Sequence, residues 1–403
     1  NAVVHFDAFR LDYRVEYPEI FSKQRKMLDA IAADEPDVVQ HQGMELHVSR
    51  HLNEFSVHTE PPSFNGPLND AVQAVHDRGG LVSYNHMFGA AICEGGGSTP
   101  ESVLAELLNT RAYDTDLLEV GYRCRSGREL ADYLWVWDQL TAAHLFLTGT
   151  GVSDDHNLAP GSNATRDNNF VSWIYADSPD KTDLIDGLRR GRVYFGDINL
   201  FDGHVDLSTP SGAKMGQVVF TDQQTAQLTI DIDGLAEGDE IRSIHNGELA
   251  NTYTATGAAF SVTESLPLAA SGSFARVEVY AQDGTAKAFS NPLHFVRRVG
   301  EEGVSPFRSV IDLTGAQSTE ITGFSLRRAT LRGNGRDSAL ILGGSGEQGT
   351  VVLEWSRTER PYSVIFQGLS GTWSFDGGLL TLSNLTGDGS LTVLAGNPGK
   401  GSP

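Results

Sequence analysis

Over roughly the first two hundred residues, short apolar runs alternate with stretches of helical periodicity. In residues 20–33, Ile20, Phe21, Met27, Leu28 and Ile31 share one helical face, and Pro36 ends the run. Residues 67–78 repeat the pattern with Leu68, Ala71, Val72 and Val75 inward, closed by Gly79 and Gly80. Ser98, Thr99 and Pro100 read as the cap and first turn of a helix reaching Asn109. Residues 129–143 place Leu130, Leu134, Trp137 and Leu140 on one side, and residues 182–190 form a last helix. Between these lie strand-like runs at 37–46, around His51, at 80–85, 116–121, 145–147, 170–176 and 191–195. Strands alternating with helices predict an α/β domain over residues 1–198.

From about Gly203 the hydrophobic period becomes two. Residues 226–232, 241–246, 258–262, 274–281 and 291–296 alternate and are joined by glycine turns such as Asp283-Gly284, which predicts a β-sandwich over 203–298. Residues 297–306 read as a linker. Residues 307–396 carry further short strands with glycine-rich turns and no titratable cluster, predicting a second small β domain suited to glycan or surface contact. The tail from Asn397 is expected to be disordered.

Composition narrows the partners. The 403 residues carry 52 acidic and 30 basic side chains, a formal charge of -22. Such a field repels nucleic acid phosphates and anionic membranes, and no run reaches the roughly 20 apolar residues of a membrane helix. The electrostatics and the β modules favour export. Two cysteines, Cys93 and Cys124, make no disulfide framework and read as free thiols.

The chemistry gathers at strand ends. After the apolar run Leu145-Phe146-Leu147 come glycines, then Asp154, Asp155 and His156. Asp154 and His156 are two apart, so in an extended segment they point the same way, and a carboxylate with an imidazole suits zinc, manganese or iron. Earlier strand-like runs deliver Glu45, His86 beside Asn85, and Glu119. Acidic and imidazole groups at the ends of successive parallel strands would meet on one face of a barrel. His41, His47, His51 and His58 crowd one region; by alternation His47 shares a face with Glu45 and competes with His51 as a ligand. His5, Asp7 and Asp12 read as structural. Arg123 and Arg125 follow Glu119 and could meet an anionic substrate oxygen, or pair with local carboxylates such as Glu119.

The series GMEL, HLNEF, GGLVSYNH, LLEV and TGTGVSDDHN resembles, in order and spacing, the later motifs of the PHP (polymerase and histidinol phosphatase) superfamily of metal-dependent hydrolases. The resemblance covers about residues 1–197. It implies a distorted β/α barrel with a centre of two or three divalent metals. Glu45 would bridge them, His51 and His86 would be imidazole ligands, Asp154 and His156 would close the site, and Glu119 would support from behind. The family's early His-x-His and Thr-Asp-His motifs have no counterpart here. The stretch starting at Asn1 is similar to the segment just downstream of the second motif, so an N-terminally truncated, incomplete barrel is expected. The SNPLHF segment is similar to the accessory domain of carbaryl-hydrolase-type bacterial proteins.

The expected fold is therefore an incomplete β/α barrel followed by two small all-β domains. The expected function is metal-dependent hydrolysis of a small-molecule ester, with Glu45, Asp154 and Arg125 nearest the chemistry. A phosphoester is the first substrate class, and a carbamate or carboxylic ester the alternative. A non-catalytic extracytoplasmic binding protein with a remnant barrel is the rival.

Overall fold

The computed structural model describes residues 17–34, 36–37, 39–58, 60, 62, 66–90, 97–154, 168–269, 272–297, 308–311, 320–321, 324–331, 338–355, 361–376 and 379–395. Its first region runs α1 (Tyr17–Asp34), β1 (Met44–His47), β2 (His51–Phe55), α2 (Leu68–His76), β3 (Leu81–Tyr84), α3 (Pro100–Asn109), β4 (Leu117–Gly121), β5 (Cys124–Arg125), β6 (Arg128–Glu129), α4 (Leu130–Ala142), β7 (Thr148–Gly151), β8 (Phe170–Ile174), α5 (Lys181–Arg189) and β9 (Val193–Asp197). Local chemistry places these elements. Thr99 caps α3 by accepting the Ser102 amide at 3.3 Å, with Pro100 in the first turn, where no amide hydrogen is needed.

β1, β2, β3, β4 and β7 form one sheet in that order. β1, β2 and β3 run antiparallel, while β3, β4 and β7 are parallel. Helices α2, α3 and α4 bury Leu68, Val72, Val75, Val103, Leu107, Trp137 and Leu140 in one core with the sheet residues Leu52, Val82, Tyr84, Leu118 and Val120. The apolar run before Asp154 packs in this core, so the strand itself is the Thr-Gly-Thr-Gly segment one step later.

The β/α barrel expected from the sequence does not form. Among the described residues β7 is the last backbone-paired strand of its sheet: β8 and β9 flank it but pair antiparallel with each other and belong to a different, eight-stranded sheet. The chain is dominated by β-strands in several separate sheets, with five α-helices among the described residues. Alternation of strand and helix predicted the elements but not which edge would close.

The next region holds β10 (Val205–Ser208), β11 (Val218–Thr221), β12 (Thr225–Asp233), β13 (Glu240–His245), β14 (Glu248–Thr254), β15 (Ala259–Pro267), β16 (Gly272–Tyr280), β17 (Ala286–Ser290) and β18 (Leu293–Arg297). β10, β12 and β15 make a three-stranded sheet, and β11, β18, β16, β17, β9 and β8 a path to which β13 and β14 add. Alternate residues Leu228, Ile230 and Ile232 of β12 meet Ile241, Val277, Val279 and Phe295 from the large sheet, giving a β-sandwich-like core.

Two junctions tie this sandwich to the first region. The Arg276 guanidinium grips Asp138 of α4 through Nε–Oδ1 at 2.8 Å and Nη2–Oδ2 at 2.7 Å, with Glu278 on its third side. The Asn291 side chain reaches the backbone of β7. The last region, β19 (Arg308–Ile311), β20 (Glu320–Ile321), β21 (Phe324–Leu331), β22 (Ser338–Trp355), β23 (Pro361–Asp376) and β24 (Leu379–Ala395), is a single six-stranded sheet. Its principal strands are 18, 16 and 17 residues long, not the short strands expected. Tyr362, Ile365 and Leu394 share the core of Phe146. Among the described residues no helix is long and apolar enough to cross a membrane.

Candidate metal centre

β1 and β2 form a hairpin in which Glu45 faces Asn53 and His47 faces His51. Partners across an antiparallel pair project to the same side, so Glu45, His47, His51 and Asn53 all lie on one face. Alternation alone therefore could not choose between His47 and His51. The distances do: His51 Nδ1 lies 2.9 Å from Glu45 Oε1 and 3.1 Å from His86 Nε2. His47 is exposed and meets the His51 ring edge-on at 4.4 Å between centroids.

His86 arrives from β3. Asn85 continues the strand, its amide bonding the His51 carbonyl at 3.1 Å, and regular extension would send His86 to the opposite face. His86 instead adopts φ 26°, a left-handed conformation that redirects its ring toward His51. Asp154 also has positive φ, 44°. Unfavourable backbone at two strand ends, both bearing metal-type side chains, is typical of sites that hold a ligand.

Glu45, His51 and His86 offer an oxygen and two nitrogens within 4.8 Å of one another. Ligand atoms sharing one zinc-like ion at about 2.1 Å stand roughly 3.0–3.4 Å apart. The two measured spacings fall close to that window, so this donor set fits a divalent ion with little rearrangement. Burial lowers the His86 pKa to about 4, with Arg125 and His51 adding to the effect against Asp154. At neutral pH its imidazole carries a free lone pair, as ligation requires.

Behind His86 lies Glu119, whose Oε2 accepts the His86 amide at 2.7 Å and the Tyr122 hydroxyl at 2.6 Å. Burial pushes its pKa up to about 7 despite these donors. Glu119 thus accepts the amide at the left-handed turn of His86 and is not among the three clustered residues.

Asp154 borders the cluster without joining it. Its Oδ2 lies 3.9 Å from His86 Nε2 and is held by the Arg125 guanidinium, which also donates to the Ala90 carbonyl at 2.8 Å. Arg125 is buried, with its guanidinium on the Asp154 carboxylate and the Ala90 carbonyl. Its partner is Asp154 and not Glu119, a pairing hidden from the sequence by a separation of 29 positions. Arg123 keeps a half-exposed guanidinium on the buried carboxylate of Asp197. His156, together with Cys93, His5, Asp7 and Asp12, lies outside the described residues. Cys124 is disulfide-bonded, which corrects the expectation of a free thiol.

No known protein-family profile matches the chain, and no curated protein matches it. Among solved structures, a CARDB domain from Pyrococcus furiosus, determined in solution and in a crystal complex with di-metal ions, is 16% identical and aligns with 24% of this chain. The alignments cover 94% and 96% of those domains at a TM-score of 0.19. A secreted serine protease from Vibrio cholerae is 11% identical over 47% of this chain and 46% of its own, at a TM-score of 0.16.

Proposed function

We propose that the protein is a metal-dependent hydrolase of small-molecule esters, with a divalent ion held by Glu45, His51 and His86. The observation that carries this is the convergence of one carboxylate oxygen and two imidazole nitrogens, from β1, β2 and the end of β3, at ligand spacing. The motif series resembling PHP hydrolases supports the same reaction class, although no barrel underlies it. Bound there, a divalent ion supplies Lewis acidity and an activated water at neutral pH.

The chain's own groups divide the remaining tasks. Glu45 contributes negative charge that favours a cation, and His51 is partly exposed, leaving an approach from solvent. His86 is fixed from behind by Glu119. Arg125 neutralises and orients Asp154 so that one carboxylate stands beside the cluster in a set position. Arg123 keeps a half-exposed guanidinium, paired with Asp197, that can meet an anionic substrate oxygen.

Phosphoesters are the first substrate class, and carbamates or carboxylic esters the second. Protein loaded with zinc or manganese should hydrolyse p-nitrophenyl phosphate or an aryl carbamate, and His86→Ala should abolish the activity. Turnover of neither by the metal-loaded protein would remove the enzyme reading. A second reading, a metal-holding protein without turnover, is favoured by one observation: Arg125 already occupies the carboxylate of Asp154. Tight zinc binding with no hydrolysis of either substrate is the outcome that selects it.

A further inference from the structure

In a parallel strand, alternate residues direct their backbone groups to opposite neighbours. Thr148 and Thr150 of β7 face β4: the Thr148 amide bonds the Asp116 carbonyl at 3.0 Å, and the Thr150 hydroxyl reaches the Leu118 carbonyl at 3.3 Å. Gly149 and Gly151 therefore present their amides and carbonyls outward, where no strand among the described residues pairs with them through its backbone. Buried and unpaired, those groups would cost on the order of 1–3 kcal/mol each.

Side chains seal this edge instead. Asn291 accepts the Gly149 amide at 2.7 Å and donates to the Gly149 carbonyl at 2.8 Å and to the Val193 carbonyl at 2.7 Å. The Ser172 hydroxyl stands 3.0 Å from both the amide and the carbonyl of Gly151. Asn291 is 1% exposed and lies 142 residues from Gly149, in the turn between β17 and β18 of the sandwich. Its carboxamide copies the backbone partner that a barrel strand would have supplied.

Two routes lead from this seam to the metal cluster. β7 runs on through Val152 and Ser153 to Asp154, which meets Arg125 and approaches His86. β7 also pairs with β4, setting Thr150 opposite Glu119, the carboxylate that holds the His86 turn. We infer that the β-sandwich is an integral part of the metal centre, with Asn291 as a positioning residue that fixes β7 and, through it, Asp154 and Glu119. The inference rests on the metal reading of Glu45, His51 and His86.

The test uses the full chain and two readouts: zinc affinity by competition titration, and hydrogen exchange in peptides covering residues 145–154. Asn291→Ala is expected to speed exchange over 148–151 and to weaken zinc binding by about tenfold, the usual scale for groups that orient ligands. Leu207→Ala, in the sandwich core with its side chain off the Asn291 hydrogen bonds, should lower the melting temperature while leaving both readouts as in the wild type. If Asn291→Ala does not fold, Ser172→Ala removes only the seal on Gly151 and should move both readouts in the same direction by less. Unchanged exchange over 148–151, faster exchange without weaker zinc binding, or equal effects from Leu207→Ala would each overturn the inference. A wild-type protein that binds no zinc would overturn the metal reading itself, and the exchange data would still show whether Asn291 holds the strand.

Discussion

Two buried carboxylates, Glu119 behind the Glu45–His51–His86 cluster and Glu264 between the sheets of the sandwich, sit in opposite electrostatic conditions. Both are removed from water, which favours the neutral acid. At Glu119 that effect wins, and the pKa rises to about 7. At Glu264 burial also pushes upward, but hydrogen bonds from His245, Ser243 and Tyr253 outweigh it and the pKa falls below its ordinary value. The same contrast separates the two regions. In the sandwich, charges are saturated by partners: Arg276 with Asp138 and Glu278, Lys287 with Asp239. Around His86, donors and acceptors are crowded at ligand distance on strained backbone. One region uses polar groups to lock, and in the other they converge on a single point.

The contrast can be broken most forcefully at Arg276. Arg276→Ala leaves Asp138 and Glu278 buried without a counter-ion, and loss of one partner of a buried pair costs about 3–5 kcal/mol. Urea unfolding should register that loss; a change below about 1 kcal/mol would mean that this junction does not bind the two regions together. Gly149→Ala comes next. A Cβ there would lie 2.6 Å from the Trp137 ring, so the strand or the indole must shift, at about 1–3 kcal/mol. Melting curves should place this variant between Arg276→Ala and the wild type.

The carboxylates sharpen the comparison through pH. Because the folded pKa of Glu119 is raised from 4.5 to about 7, its contribution to stability is complete below pH 4.5 and lost as pH rises through 7. Glu119→Gln should flatten that decline in chelator-treated protein. Glu264 has the opposite sign: its contribution is present above 4.5 and lost as pH falls through its lowered folded value. Glu264→Gln should reduce acid sensitivity alone, the smallest of these effects. Stability curves that both substitutions shift in the same direction would contradict the contrast.

Much of this was legible in the sequence at the level of elements. Helical periodicity located α2 and α4 because their apolar positions recur at three and four residues, and the Thr99-Pro100 cap marked the start of α3. Period-two alternation located β12, where Leu228, Ile230 and Ile232 turn inward. Closure was not legible. Whether β7 meets a strand or a side chain depends on Asn291, 142 residues from Gly149, and one asparagine in an SNP turn carries no periodic signal. The glycines of TGTG were visible, but their cause was not: Trp137 crowds Gly149, and the Val171 carbonyl crowds Gly151. In the site, strand-end chemistry marked Glu45 and His86 and the motif resemblance marked His51, and the three meet. The Asp154 partner of Arg125 was not legible, because an ion pair to a distant loop aspartate leaves no local pattern. β14 was missed altogether, since nearly every position of this edge strand is exposed and none alternates.

The central claim is that Glu45, His51 and His86 form a single metal-binding unit, and the most direct measurement is zinc stoichiometry by mass spectrometry under non-denaturing conditions. The wild-type chain is predicted to retain zinc through the Glu45–His51–His86 unit, His86→Ala and Glu45→Gln to lose that ion, and His47→Ala to keep it. Equal zinc content in the wild type and His86→Ala, or loss of the ion in His47→Ala alone, would contradict the account.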